Sequence, residues 1–361
     1  MPQLFYIDEK WSEQFWFSTG GTRAKKYLLA PNRKYYYFKR SQYKPASENK
    51  TGKDFKYEFW SEVIAYEIGI LLGFDILKYD IAIDGEIMGC ISESMIDSEK
   101  EELVEGVKYL QAFDNTYNPE DKTHQKRYTF QIIEDALDEF EDGKSKDKIV
   151  EMIVFDALIG NGDRHQENWA IINEFTLFSK ALNEVEQEVK RKGFNKLSRI
   201  SKFFMKHIID RTKNKFNQIG EAAKLTVYRP KKFAPIYDSG SSLGRELLNE
   251  RVEEFVRSKE ALEKYIQNGF SEIHWKGQKL NHFELIRQLM DSSYNEIVKS
   301  VINRVNERFD EQKITNIVLT IDQTVPESHA HYRIPELRKQ LIIKMVTLRF
   351  EKLRELINEG I

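Results

Sequence analysis

The period of hydrophobic and polar positions changes along this chain. Up to about residue 95 it is mostly that of strands. Gln14–Ser18 is aromatic-rich, and Lys26–Ala30 and Lys34–Arg40 carry runs of Tyr, Leu and Phe. Between the first two lies Ser18-Thr19-Gly20-Gly21-Thr22, a turn whose glycines permit positive φ. A polar loop, Ser41–Asp54, follows. From Tyr57 to Leu72 the period becomes helical, with Phe59, Val63, Tyr66 and Ile70 on one stripe and Gly73 suited to the C-cap. Ile76–Ile83 and Gly89–Ser94 read as strands, with Asp84-Gly85 as a hairpin turn. From about residue 98 the pattern is helical. Thr129–Glu141 and Lys146–Leu158 are amphipathic, and the tail from Leu247 to Ile361 is mostly helix, clearest over Ile334–Asn358. Strands first and helices later predict an α+β fold of two unlike lobes rather than a βαβ array. The expected division is a strand-rich N-lobe, residues 1–95, and a helical C-lobe, residues 96–361.

Length agrees with this division: 361 residues suit about two domains, or one large two-lobed one. With 23 Phe, 17 Tyr and 5 Trp the chain must bury a core. A net charge of −2 excludes a nucleic-acid polycation. One segment departs from that balance. Residues 176–232 hold 15 Lys and Arg against 5 acids, which predicts one or two long basic helices inserted in the C-lobe. They would form either a solvated hairpin or a docking surface for an acidic partner. The single cysteine, Cys90, excludes an internal disulfide framework and a Cys-based zinc cluster. The polar start before Lys10 does not read as a secretory signal. A cytoplasmic location is therefore expected, or secretion without such a signal. No apolar run approaches the ~18 residues of a membrane span.

The chemistry concentrates in four places. The run Asn161-Gly162-Asp163-Arg164-His165-Gln166-Glu167-Asn168 follows an apolar helix and is richer in polar side chains than a surface turn requires. Asp163 and Asn168 stand five apart, the Asp-to-Asn spacing of a protein-kinase catalytic loop. Ala234-Pro235-Ile236-Tyr237-Asp238-Ser239-Gly240 ends an apolar run in Asp-x-Gly, a pattern kinases use to hold magnesium. Lys39 closes the strand Tyr35-Tyr36-Tyr37-Phe38, and a helix bearing Glu58, Glu62 and Glu67 follows. Glu62, near the helix middle, is the expected partner of Lys39, with Glu58 as the alternative. Gly20-Gly21-Thr22-Arg23-Ala24-Lys25 offers backbone N–H groups and cations to phosphates, although it is neither a Walker A loop nor G-x-G-x-x-G. Each piece alone is a common turn or a solvated charge. Their order (glycine turn, Lys, Glu, Asp with Asn, Asp-x-Gly) is far more specific.

With these motifs the sequence resembles the HipA-like kinases, a bacterial serine/threonine kinase family. The family's glycine loop, often G-G-x-R-P-K, is matched by Gly20-Gly21-Thr22-Arg23-Ala24-Lys25, with Ala24 in place of Pro. Its catalytic loop, N-x-D-x-H-x-x-N, is matched by Asn161 to Asn168, and its metal motif by Pro235 to Gly240. The resemblance covers roughly residues 12–95 and 145–250. It implies a two-lobed kinase-like fold, with ATP and magnesium as cofactors and a protein as substrate. Asp163 would be the base or orient the nucleophile, and Asn161 and His165 would shape the loop. Asn168 and Asp238 would hold the metal, and Lys39, paired with Glu62, would hold the ATP phosphates. Gly20, Gly21 and Lys25 would line the phosphate loop, and Glu93 to Met95 would read the adenine. Ser18 would be a site of silencing autophosphorylation. An antitoxin or other regulatory partner is a further implication for a family that includes toxins. The chain departs from the family in having 17 residues, not a subdomain, before the glycine loop. Its Asn168 and Asp238 also lie 70 positions apart. The shorter start points to the family's compact members. A lipid kinase, or a nucleotide-binding module without turnover, remains as an alternative reading.

Overall fold

Residues 1–14, 25–41, 43–44, 53–98, 100–121, 126–177 and 226–359 are described by the computed structural model. The strand-forming residues at the start build a six-stranded sheet. Its strands are β1 (Leu4–Ile7), β2 (Ser12–Glu13), β3 (Lys25–Leu29), β4 (Tyr35–Arg40), β7 (Asp80–Asp84) and β8 (Ile87–Glu93). A small hairpin, β5 (Tyr43–Lys44) with β6 (Lys53–Asp54), stands apart from it. The sheet order is β1-β7-β8-β4-β3-β2, with β1 parallel to β7 and every other pair antiparallel. Alternation along a strand sends successive side chains to opposite faces. Tyr36 and Phe38 of β4 join Leu28, Ala30, Ala82 and Ile91 in one apolar layer. Lys39 therefore projects from the other face, towards helix α1 (Glu58–Leu72).

Helix α1 lies between β4 and β8 of the sheet and the C-terminal helices. It ends where Gly73 takes a left-handed φ of 83° and donates to the carbonyl of Ile70. The predicted stripe is only partly buried. Phe59 and Val63 are in the core, but Ile70 is 50% exposed, and Trp60, Ile64 and Ile68 are buried instead. A helix covered on two sides buries more than one stripe.

Three stretches within residues 98–233 depart from the helical expectation, while the helices expected at Thr129–Glu141 and Lys146–Leu158 are present. A second sheet is present, in the order β11-β10-β9: β9 (Glu101–Glu105), β10 (Ala170–Leu177) and β11 (Thr226–Phe233), all antiparallel. The basic segment of 176–232 thus begins and ends in strand, not helix, and its residues 178–225 lie outside the described residues. Pairing decides this. Val227, Tyr228 and Arg229 find backbone partners in Thr176, Phe175 and Glu174, and that ladder outweighs the local charge pattern.

Helices α2 (Gly106–Phe113), α3 (Phe130–Glu141) and α4 (Lys146–Ile159) follow β9. Helices α5 (Asn249–Arg257), α6 (Lys259–Gln267), α7 (His282–Met290), α8 (Asn295–Arg308), α9 (Glu311–Thr320) and α10 (Glu336–Glu359) complete the chain. Every residue of α4 from Ile149 to Ile159 is buried, because α7, α8 and α10 pack around it. Helix α4 ends at Gly160, φ 70°, and there releases the chain into the Asn161–Asn168 loop. No helix among the described residues is long and apolar enough to cross a membrane.

Candidate active site

Strand β4, helix α1 and the Ala234–Gly240 run converge on Lys39. Its ammonium donates to Glu62 Oε1 at 3.2 Å, to Asp238 Oδ1 at 3.1 Å and to the Tyr79 hydroxyl at 3.1 Å. Burial on its own lowers the pKa of Lys39. The carboxylates of Asp238 and Glu62 outweigh that and hold it well above its ordinary value. Glu62 is fixed from its second oxygen, which accepts the backbone N–H of Ser239 at 2.7 Å. One helix carboxylate therefore binds both the strand lysine and the backbone beside Asp238.

Asp238 is brought there by backbone pairing. Ile236 bridges Ile76 in parallel and Ala234 donates to the carbonyl of Ala170. Asp238 itself sits at φ 58°, a left-handed conformation that non-glycine residues adopt infrequently. Such geometry persists where surroundings hold it, and here Ser239 N–H and the Asp238 carboxylate are both tied down.

The second half of the site is the loop after α4. Asp156, the acid in the last turns of α4, accepts from Arg164 Nε at 2.9 Å, from Arg164 Nη2 at 2.8 Å and from Asn161 Nδ2 at 3.0 Å. Arg164, 1% exposed, also donates through Nη1 to the carbonyls of Asn168 at 2.9 Å and of Tyr237. One guanidinium thus holds helix, loop and the Asp238 run together. Asn161 Oδ1 receives the Asp163 N–H at 3.3 Å, and Asn168 Nδ2 donates to the Asp163 carbonyl at 2.7 Å. The Asp163 carboxylate accepts the Ser241 hydroxyl at 2.9 Å through Oδ2. His165 Nδ1 lies 3.0 Å from Glu167 Oε2. Burial opposes its charge, but Glu167 and Asp163 raise its pKa above the ordinary value, and Glu167 is lowered in turn by the same contact.

The structure therefore assembles Lys39, Glu62 and Asp238 in direct contact, and ties Asn161, Asp163 and Asn168 into one loop beside them. Lys25 begins β3, in register with Lys39. Glu93 ends β8 and faces solvent, paired with Lys34 at 2.8 Å. Met95 packs on the layer of Ala170, Ile172 and Ala234. Ser18, Gly20 and Gly21 lie outside the described residues. Sequence reasoning missed Tyr79, Asp156, Arg164 as a clamp, and Ser241. Asp156 had a signal: it is an acid set within the apolar stretch Ile153-Val154-Phe155-Asp156-Ala157-Leu158-Ile159. Tyr79 and Ser241 had none.

No protein-family model matches the chain, and no curated protein matches it significantly. Solved structures do. The crystal structure of the Helicobacter pylori proinflammatory kinase CtkA matches at a TM-score of 0.63 and 17% identity, over 96% of this chain and 95% of that one. HipA of Shewanella oneidensis, from a toxin–antitoxin complex with HipB and operator DNA, matches at a TM-score of 0.45 and 10% identity. That match covers 98% of this chain and 65% of that one. The likeness to CtkA establishes the fold as two-lobed and kinase-like, in agreement with the resemblance of the motifs to HipA-like kinases.

Proposed function

We propose that the chain is an ATP- and magnesium-dependent phosphotransferase that phosphorylates serine or threonine hydroxyls of a protein. The observation that carries this reading is the buried contact of Lys39 with Glu62 and Asp238, at 3.2 and 3.1 Å. A charged lysine is costly inside a protein unless paired, and here two carboxylates from two different elements are spent on it. In a phosphotransferase the cost is explained, because a fixed ammonium neutralises phosphate oxygens.

The residues present fit a magnesium ion. Asp238 supplies carboxylate oxygens. The amide nitrogen of Asn168 is engaged by the Asp163 carbonyl, so its carbonyl oxygen is the end left as a ligand. Magnesium takes oxygen donors and needs only one or two protein ligands when phosphates supply the rest. No group of three or more His, Cys, Asp or Glu among the described residues forms a self-sufficient metal cage. Asn168 and Asp238 would hold the ion, which when bound screens the phosphate charge.

The chain's own residues do the remainder. Lys39, oriented by Glu62, presents a cation to the phosphates. Gly20, Gly21 and Lys25 would cover them, by the resemblance of that loop. Asp163 accepts the proton of the attacking hydroxyl as its oxygen bonds to the γ-phosphorus. The bond from phosphorus to the β-bridging oxygen breaks, and the nucleoside diphosphate leaves. Arg164 keeps the loop and the Asp238 run in register throughout.

Purified protein incubated with magnesium and γ-labelled ATP, beside an Asp163→Asn variant, tests this. Label on serine or threonine in the wild type alone supports the reading. Nucleotide bound without label in either protein would make the chain a binding module instead.

A further inference from the structure

Asp163 is held by more than its own loop. The Ser241 hydroxyl has one proton, and its 2.9 Å bond to Asp163 Oδ2 directs that proton to the carboxylate. The Ser241 oxygen in turn accepts Arg245 Nη2 at 2.9 Å. Arg245 uses its other terminal nitrogen to pair with Glu58, and its guanidinium lies 4.2 Å from the centre of the Phe55 ring. The Glu58 and Arg245 side chains are only 4% and 14% exposed, so this is a built contact rather than a surface pair.

Glu58 and Glu62 stand four apart, one turn of α1, and face the same side. Glu62 reaches Lys39 and the backbone of Ser239. Ser61, between them, donates to the carbonyl of Ser242 at 3.1 Å. Ser242 closes on the carbonyl of Ser239 at 2.7 Å. The segment Ser239–Ser242 is therefore bound directly to Ser61 and Glu62 of α1, and through Arg245 to Glu58 of the same helix.

We propose that Ser241 is a positioning residue for Asp163, and that Arg245 and Glu58 carry this support back to α1. The inference rests on the phosphotransferase reading of the site and deepens it. One helix then sets two remote parts of the chemistry: Glu62 aims the lysine that meets phosphate, and Glu58, through Arg245 and Ser241, aims the carboxylate that meets the acceptor hydroxyl. A displacement of α1 disturbs both at once.

The test uses the full chain with labelled ATP and dephosphorylated casein as acceptor, measuring kcat, KM for ATP and ATP affinity by calorimetry. Loss of a hydrogen bond to a charged group is expected to lower kcat by about 10- to 100-fold in Ser241→Ala. ATP affinity stays near wild type, because Lys39 is untouched. Ser241→Thr, which keeps the hydroxyl, restores most of kcat. Arg245→Lys and Glu58→Gln lower kcat likewise, and each adds little to Ser241→Ala in the double variant, since they act through one chain of contacts. A merely structural role would show instead as a lowered melting temperature with undiminished kcat in the folded Ser241→Ala enzyme, and that result overturns the inference alone. Stoichiometric phosphate on Ser241 in the active wild type also overturns it, because a phosphorylated oxygen has no proton to give. Wild-type protein that binds ATP and labels neither itself nor casein overturns the phosphotransferase reading and this inference with it.

Discussion

At the scale of single residues, Lys39 carries the most electrostatic weight. It stands between Glu62 and Asp238, and its side chain is 10% exposed. Lys39→Met removes the cation and leaves two buried carboxylates facing each other. Breaking a buried pair in this way costs about 3–5 kcal/mol. Denaturant unfolding should show that loss, and should show part of it regained in Lys39→Met with Asp238→Asn, where one uncompensated charge is gone. Equal stability of the single and double variants would mean that the carboxylates are not destabilising each other. His165 offers a second reading at this scale. Its pKa is raised above the unfolded value, so its contribution to stability is complete below the unfolded pKa and is lost as pH rises through the folded one. An NMR titration should place the His165 midpoint above that of a free histidine, and Glu167→Gln should lower it. A midpoint unmoved by that substitution would remove Glu167 as the cause. Lys39 and its partner Glu62 were legible because a strand lysine and a mid-helix glutamate sit in a fixed order. Tyr79, which shares the ammonium, was not legible, since an aromatic inside the stretch Ile76–Ile83 read as strand looks like any core residue.

At the scale of elements, α4 shows where local pattern and tertiary need diverge. By pattern alone an acid within the buried Ile149–Ile159 stretch of α4 is a defect, and Asp156→Leu would improve it. The structure predicts the reverse. Asp156 is the carboxylate that Arg164 pairs with at 1% exposure, so the leucine variant strands a buried guanidinium. A loss of about 3–5 kcal/mol is expected in chemical denaturation, with the loop from Asn161 to Asn168 released from the helix. Stability equal to the wild type would show that Arg164 can be satisfied by the carbonyls of Asn168 and Tyr237 alone. The boundaries of α1, α3 and α4 were readable because each stops or starts at a residue with its own signal: Gly73 and Gly160 in left-handed conformations, and Thr129 capping Ile132 N–H. The strands β9 and β11 were not readable. Glu101-Glu102-Leu103-Val104-Glu105 has little apolar face, and Thr226–Phe233 is basic. Both exist because β10, between them, offers partners on each edge.

At the scale of the molecule, the basic segment is an insertion into a hairpin. Leu177 of β10 and Thr226 of β11 are partners in the antiparallel register, so their backbones lie side by side. Antiparallel partners stand about 4.5–5.5 Å apart, a gap that a two-residue turn can close. The 48 residues from 178 to 225 are therefore not needed to connect the two strands. Replacing residues 178–225 by Asn-Gly, whose positive-φ preference suits a type I′ turn, should leave a folded protein. Its melting temperature and ATP affinity should stay close to those of the full chain, with Asp163-dependent phosphoryl transfer to itself or to casein retained. The removed piece includes most of the charge that sets 15 basic residues against 5 acidic ones in residues 176–232. Any partner drawn by that charge should then be lost, and the salt dependence of its binding with it. A shortened protein that folds but no longer binds ATP would show that the segment belongs to the site after all. One that fails to fold would show that it belongs to the core.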